Sequence, residues 1–410
     1  MRPRAHFPIS SAVAFAPGLV DEWCLSKLSR LLNGAPVRLQ LWNDESATPA
    51  MPPVATVLVK DRATLVRLLL RPALAFGEAY SAGRLVVKGD LVRLLEAVNR
   101  ALAGRPYEPG ARRVPATPTS AKDNVHVHYD LGNDFYRLWL DEAMVYTCAY
   151  FEHPTATLEE AQRAKLDYVC RKLRLTPGDR VIEAGCGWGA LALHMATRYG
   201  VTVRAFNISD AQLRYARERA AREGLSDRVT FVDGDYRTID GRCDVFVSIG
   251  MLEHVGPADY AIFGGVIDRV LEPRHGRGLL HFIGRDAPME FNSWIARHIF
   301  PGAYAPTLGE VLPGVLESAH VSVVDVENLR PHYALTLRHW LNRFEDHQEP
   351  IRAMFDDAFV RTWRLYLASA QASFASGDLQ LFQVSFGRRA DTAQPWTRRD
   401  LYAAPFHGTM

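Results

Sequence analysis

The chain has 410 residues, enough for two domains, and its 48% hydrophobic content is ample for a buried core. A formal net charge of +2 supplies no global field that would favour nucleic acid as a partner. Five widely spaced cysteines with no CxxC pair suggest neither a disulfide framework nor a zinc site, and fit a reducing cytoplasm.

The N-terminal stretch is basic and weakly apolar but broken by Pro8 and Pro17, which makes a poor signal peptide. No stretch approaches the ~20 apolar residues that span a bilayer, so any lipid contact is expected to be peripheral. Residues 1–104 read mainly as short helices with a small sheet. VATVLVKD (54–61) is a strand candidate, and a helix broken near Pro72 follows it. DLVRLLEAVNRALAG (90–104) reads as a helix capped by Asp90. Arg62, Arg67 and Arg71 read as a solvated face, with attraction to anionic lipid as the second reading. The Pro-, Gly- and Ser-rich segment 105–123 reads as a linker, and residues 124–390 as the main domain. The last stretch, 391–410, reads as a poorly ordered tail.

In 124–390 strand-like and helix-like segments alternate: DRVIEAG (179–185), VTVRAFNIS, RVTFVDGD, CDVFVSIG, RGLLHFIG, VSVVDVEN and LQLFQVSFGRR (379–389), with helix-length spacers between most of them. That is the pattern of an α/β fold with a mostly parallel sheet covered on both faces. Ser209-x-x-Gln212 reads as a capping box opening one of the helices.

The sharpest local signal is Glu183-Ala-Gly185-Cys186-Gly187-Trp188-Gly189, directly after an apolar strand and opening a helix. Glycines there allow a tight turn and let backbone N–H groups approach a ligand. The spacing is GxGxG, not the GxGxxG of dinucleotide binders, and it is motif I of class I methyltransferases, which bind S-adenosylmethionine. Asp235 and Tyr236, after the third strand, could meet an adenine through its amino group and ring face, or form an ordinary turn.

At HYDLGNDFY (128–136) and YTCAYF (146–151) the chain resembles the cyclopropane-fatty-acyl-phospholipid synthase family. The resemblance continues through EAGCGWG, SIGMLEHVG (248–256), LLHFIG (279–284), PHYALTLRHW around Tyr333, and LQLFQVSF, in the same order with similar spacing. FGEAYSAG (76–83) resembles the extra N-terminal domain of the phospholipid branch. The resemblance implies a seven-stranded Rossmann-like sheet and S-adenosylmethionine as methyl donor. It also implies a homodimer acting at the inner membrane face on unsaturated phospholipid acyl chains. It maps a bicarbonate site onto Cys148, Glu253, His281, Ile283 and Tyr333, with Cys148 and Ile283 acting through backbone groups, and an aromatic near the reacting carbon onto Tyr129. The cofactor pocket maps onto Tyr146, Thr147, Glu183, Gly185, Cys186, Gly187, Gly189, Asn207, Ile208, Ser209, Gln212, Asp235 and Tyr236. Asn207 stands where the family usually has Thr, and Ala370 where some members have a cysteine, so a covalent cysteine at that position is excluded.

The chemistry accounts for these residue types. An alkene attacks only a strongly activated methyl, such as that of a sulfonium. The resulting cation needs dry, aromatic surroundings, which Tyr129 and FYRLW (135–139) could supply. Ring closure then needs a base within hydrogen-bond reach of the new methyl group. Each residue also has an ordinary reading: Glu253 as a cap, His281 as a core histidine, Tyr333 as packing. His126-x-His128 has no third metal ligand nearby. The same cation could instead lead to a methyl-branched or methylene chain, and a small-molecule methyltransferase is a further alternative.

Overall fold

A computed structural model describes residues 18–104 and 131–402. Tyr129, His126, His128 and the 105–123 linker lie outside the described residues. The first unit holds more sheet than its sequence suggests. Strands β1 (Val37–Leu41), β2 (Ser46–Ala47), β3 (Ala55–Val59) and β4 (Leu85–Gly89) form a four-stranded sheet in the order β2-β1-β3-β4. In β1 and β3 every second residue is buried, the period-2 signature of a sheet covered on one face. Helices α1 (Leu19–Leu31), α2 (Arg62–Leu70), α3 (Pro72–Ser81) and α4 (Leu91–Leu102) complete the unit. The break at Pro72 is real: Asp61 caps α2 through the Thr64 amide at 2.7 Å, and Pro72 opens α3, where its missing N–H costs nothing. Asp90 caps α4 by accepting from the Arg93 amide at 3.0 Å.

The second unit is a seven-stranded sheet of β5 (Arg180–Ala184), β6 (Thr202–Asn207), β7 (Val229–Asp233), β8 (Val245–Ile249), β9 (Arg277–Gly284), β10 (Val321–Asn328) and β11 (Gln380–Arg388). The order is β10-β11-β9-β8-β5-β6-β7, and β11 runs antiparallel between β9 and β10. β8 and β11 are buried throughout, as strands covered on both faces must be. The helices that position the site are α5 (Asn133–Arg137), α6 (Leu158–Lys172), α7 (Ala190–Tyr199), α8 (Asp210–Arg222), α9 (Leu252–Val255), α10 (Tyr260–Val270), α11 (Ser293–His298), α12 (Arg330–Asp346) and α13 (Asp357–Ser376).

The two units share one hydrophobic core. A single cluster of buried side chains runs from Leu25 and Leu94 to Trp340 and Leu367. α13 carries much of that contact: Arg361 Nε donates to the Ser81 carbonyl at 2.8 Å and Arg364 Nη1 to Tyr80 Oη at 2.7 Å. Gly77, in the FGEAYSAG phrase, lies directly against the Trp294 ring of α11.

The described part of the segment after β11 runs to residue 402 and makes side-chain contacts with the sheet unit. Asp391 is buried and accepts from Arg174 at 3.0 Å, and Arg398 pairs with Asp325. These ion pairs fasten the segment after β11. All five cysteines are buried and free. Among the described residues no helix is long and apolar enough to cross a membrane.

Candidate active site

A cavity opens at the carboxyl ends of β5, β6 and β8, where ligands bind in open α/β sheets. Its floor is the glycine loop. Gly185 and Gly187 have φ of +85° and +52°, a left-handed backbone that side chains rarely adopt. The Gly185 and Cys186 amides donate to the Phe206 carbonyl at 2.9 and 3.1 Å, which folds the loop back over β6. A Cβ on Gly187 would meet nothing within 4 Å, whereas one on Gly189 would lie 2.6 Å from the Phe231 ring. Gly187 therefore borders open space, while Gly189 serves the packing of α7 on the sheet.

Of the residues mapped to a cofactor pocket, Tyr146, Thr147, Glu183, Gly185, Cys186, Gly187, Asn207, Ile208, Gln212, Asp235 and Tyr236 line this cavity. Gly189 and Ser209 stand behind it. Ser209 caps α8 by accepting from the Gln212 amide at 3.4 Å. The expected capping box does not close, because the Gln212 carboxamide is used elsewhere: its Oε1 accepts from Asn207 Nδ2 at 2.7 Å. Asn207 Nδ2 also reaches the Gly187 carbonyl at 3.3 Å, and Asn207 Oδ1 accepts from the Ile208 amide at 2.9 Å. The asparagine thus ties the glycine loop to the start of α8 with both ends of its amide. Asp235 caps the turn that follows β7 and pairs with Arg237, whose guanidinium also binds Asp259.

A further residue of the site, Lys165, was missed by sequence reasoning. Lys165, on α6, is 1% exposed and lines the cavity, and its Nζ donates to Thr147 Oγ1 at 2.8 Å. Burial lowers its pKa to about 8, against the opposing pull of Asp141, Cys148 and Glu183. Glu183 is likewise buried, which raises its carboxyl to about 8, and Lys165 moderates the shift. Asp141 is buried too and accepts from the Val145 and Ala143 amides at 2.9 and 3.0 Å. The signal for Lys165 was a lysine on the apolar stripe Leu158-Ala161-Leu166-Val169 of α6.

The residues mapped to a bicarbonate site stand on several elements, and the Glu253–Ile283 contact joins two of them. Glu253, on the short α9, is buried, and its Oε1 accepts from the Ile283 amide at 2.6 Å. Glu253 Oε2 has no partner among the described residues. Burial raises this carboxyl to about 7. His281 is two residues before Ile283, on the same face of β9. Its carbonyl accepts from the Gly250 amide at 2.9 Å, and its ring meets Gln383 at 3.0 Å. Cys148 is buried, and burial raises its thiol pKa far above the usual range. The next amide, Ala149, donates to Thr336 Oγ1 at 3.0 Å, which fastens this segment to α12 three residues after Tyr333. Tyr333 packs on Phe374, with ring centroids 4.5 Å apart. Ala370 sits on α13, partly buried against the same core.

An aromatic wall adjoins the cavity. Phe135, Tyr136 and Trp139 are fully buried. Tyr136 contacts Tyr146 and Trp188, both on the cavity, at 5.5 and 4.9 Å. Tyr146 Oη shares a 2.7 Å hydrogen bond with Tyr366 Oη.

The strand order, the reversed β11 and the glycine loop after β5 are those of a class I methyltransferase. The chain belongs to the mycolic acid cyclopropane synthetase family, which its residues 116–384 match. It is 38% identical over 382 residues to a probable fatty acid methyltransferase of Pseudomonas putida, a match covering 90% of this chain and 96% of that protein. It is 40% identical over 262 residues to the cyclopropane-fatty-acyl-phospholipid synthase of Escherichia coli K12, covering 64% of this chain and 66% of that protein. Among solved structures, the mycolic acid cyclopropane synthase CmaA1 complexed with SAH and CTAB is 31% identical, with a TM-score of 0.61 over 65% of this chain and 98% of that one.

Proposed function

We propose that this protein transfers a one-carbon group from S-adenosylmethionine to the double bond of an unsaturated phospholipid acyl chain and closes a cyclopropane ring. The observation that carries this reading is Glu253: a buried carboxyl with one oxygen on the Ile283 amide and the other without a partner, beside a glycine-loop cavity.

The sulfonium of the cofactor supplies a methyl group activated enough for an alkene to attack. Gly185–Gly187, Asn207 and Gln212 hold the cofactor's polar parts, and Asp235 with Tyr236 meets its base. Tyr146, Trp188 and the rings behind them keep water from the reacting carbons and favour positive charge there. The orphaned Glu253 Oε2 fits a small protic anion, and bicarbonate is the expected one, supplying a base near the cofactor's methyl. Glu253, raised to about 7, can share a proton with that anion near neutral pH. The Ile283 amide holds the Glu253 carboxylate, and His281 and Tyr333 add polar groups. Residues 18–104 help to present the lipid from the membrane surface, where exposed Leu19, Val20 and Trp23 on α1 are available for peripheral contact.

A second reading keeps the cofactor and acyl substrate, but the cation loses its proton to give a methylene chain, or takes a hydride from a separate cellular reductant to give a methyl-branched one. The near full-length similarity to a protein named as a fatty acid methyltransferase favours it. Expression in a bacterium lacking cyclopropane lipids, followed by fatty-acid analysis, decides between them. Gain of CH2 with loss of alkene protons and appearance of ring-methylene protons supports cyclopropanation. A methylene chain, or a branched saturated chain where the host supplies the hydride, supports the second reading, and unaltered lipids count against both.

A further inference from the structure

His281 and Gln383 face one another across the antiparallel pair β9–β11. Gln383 Nε2 lies 3.0 Å from His281 Nδ1, in a buried contact. The other end of the same carboxamide, Oε1, accepts from Lys172 Nζ at 2.7 Å. Lys172 closes α6 with its side chain 1% exposed, and its ammonium is paired with Glu327. Glu327 also accepts from Tyr168 Oη at 2.9 Å. A continuous chain of hydrogen bonds thus runs from the partly exposed Glu327 through Lys172 and Gln383 to the imidazole of His281, two residues before the Ile283 amide that holds Glu253.

The polarity of this chain is fixed by chemistry. An ammonium has only donors, so the Gln383 oxygen must face Lys172. The carboxamide NH2 must then face the ring, and Nδ1 must accept. A neutral imidazole whose Nδ1 accepts carries its hydrogen on Nε2. The ring stays neutral because burial opposes its charged form and Lys165 and Lys172 reinforce that opposition.

We propose that Lys172 and Gln383 are positioning residues that lock His281 in the Nε2–H tautomer, so that it donates a hydrogen bond to the anion held beside Glu253 and does not act as a base. The inference rests on the anion site proposed above and assigns its division of labour: Glu253 shares the proton, His281 only donates.

The test is 15N NMR of the histidine rings in the full-length protein, with the His281 signals assigned by their loss in His281→Asn. The native protein should show a protonated Nε2 and an unprotonated Nδ1. In Gln383→Glu the new carboxylate stays paired with Lys172 but can only accept, so the hydrogen should move to Nδ1. Removing one donor from an oxyanion site lowers turnover by roughly 10²-fold, so kcat for acyl alkylation should fall by about that much while cofactor affinity stays within twofold. Lys172→Met, which frees the carboxamide to turn over, should give a mixture of tautomers and an intermediate kcat, and serves if the Glu variant folds poorly. A native His281 protonated at Nδ1, or a tautomer unchanged in both variants, overturns the lock. An inverted tautomer with unchanged kcat overturns the donor role. Absence of any alkylated lipid from the native enzyme would defeat the proposed function instead, and the NMR result would still decide the lock.

Discussion

Lys165 Nζ donates to Thr147 Oγ1 at 2.8 Å, which joins a buried cation on α6 to the segment that walls the cavity. The same lysine acts electrostatically on Glu183 and Asp141. Lys165→Met should therefore cost about 1–3 kcal/mol of stability, because it strands the Thr147 hydroxyl and removes the cation that moderates the buried Glu183. Adding Glu183→Gln should recover part of that loss. Denaturant unfolding of the two singles and the double checks this; strict additivity would show that the groups are not coupled.

Glu253 supplies a pH dependence of opposite sign to the usual carboxylate. Its folded pKa, about 7, lies above the ordinary 4.5, so between these values the folded state binds more protons than the unfolded state. Stability should fall as pH rises through that window, by about 3 kcal/mol in total for the ligand-free protein. Glu253→Gln should lack this fall, so its advantage over the native protein should grow from pH 4.5 to 7. A difference independent of pH would show that the carboxyl titrates elsewhere. The same variant should bind cofactor normally and lose at least 10²-fold in kcat, a loss within the range for general acid–base catalysis.

The glycines of the loop should separate by phenotype. Gly187→Val places a branched side chain at φ +52° beside open cavity space, and should weaken S-adenosylhomocysteine binding at least tenfold in calorimetry. Gly189→Val drives its side chain into Phe231 and Ala216, and should lower the melting temperature more than Gly187→Val does. Equal effects on melting from both would remove the distinction.

Gly77 has no room for a side chain, since its Cβ would lie 2.3 Å from the Trp294 ring. Gly77→Ala should destabilise by about 1–3 kcal/mol through overpacking. Trp294→Leu in the same chain should relieve most of that cost. Because the contact joins the two units, thermal unfolding of the native chain should be a single transition. Two resolved transitions would contradict the shared core.

The seven strands of the main sheet were legible because each is a short apolar run bounded by turn residues, and the reversed strand is where LQLFQVSFGRR was expected. The glycine loop was legible for the same local reason. β1 was not found, although VRLQL alternates, because the hairpin after it leads only to the two-residue β2 (Ser46–Ala47), too short to read as a partner strand, and its longer partner β3 is non-local. Lys165 and Lys172 were passed over because helix periodicity weighs apolar positions and a lysine reads as solvent-facing. Only the packing of α6 against the sheet reverses that. The Gln212 carboxamide was misassigned because a capping box and a bond to Asn207 look alike in sequence. The contact of Glu253 with the Ile283 amide joins segments thirty residues apart, which no local pattern encodes.

The aromatic wall has an optical consequence. Of the eight tryptophans, Trp139, Trp188, Trp340 and Trp363 belong to one ring network, with Trp139 5.7 Å from Trp340 and 6.0 Å from Trp363. Indoles this close couple as chromophores, so excitation anywhere in the network migrates through it. Trp188 is on the cavity and its Nε1 is held by Asn133 at 2.8 Å, so it is a fixed, internal reporter. The protein's near-ultraviolet circular dichroism and its emission should respond to whatever fills the cavity, without any label.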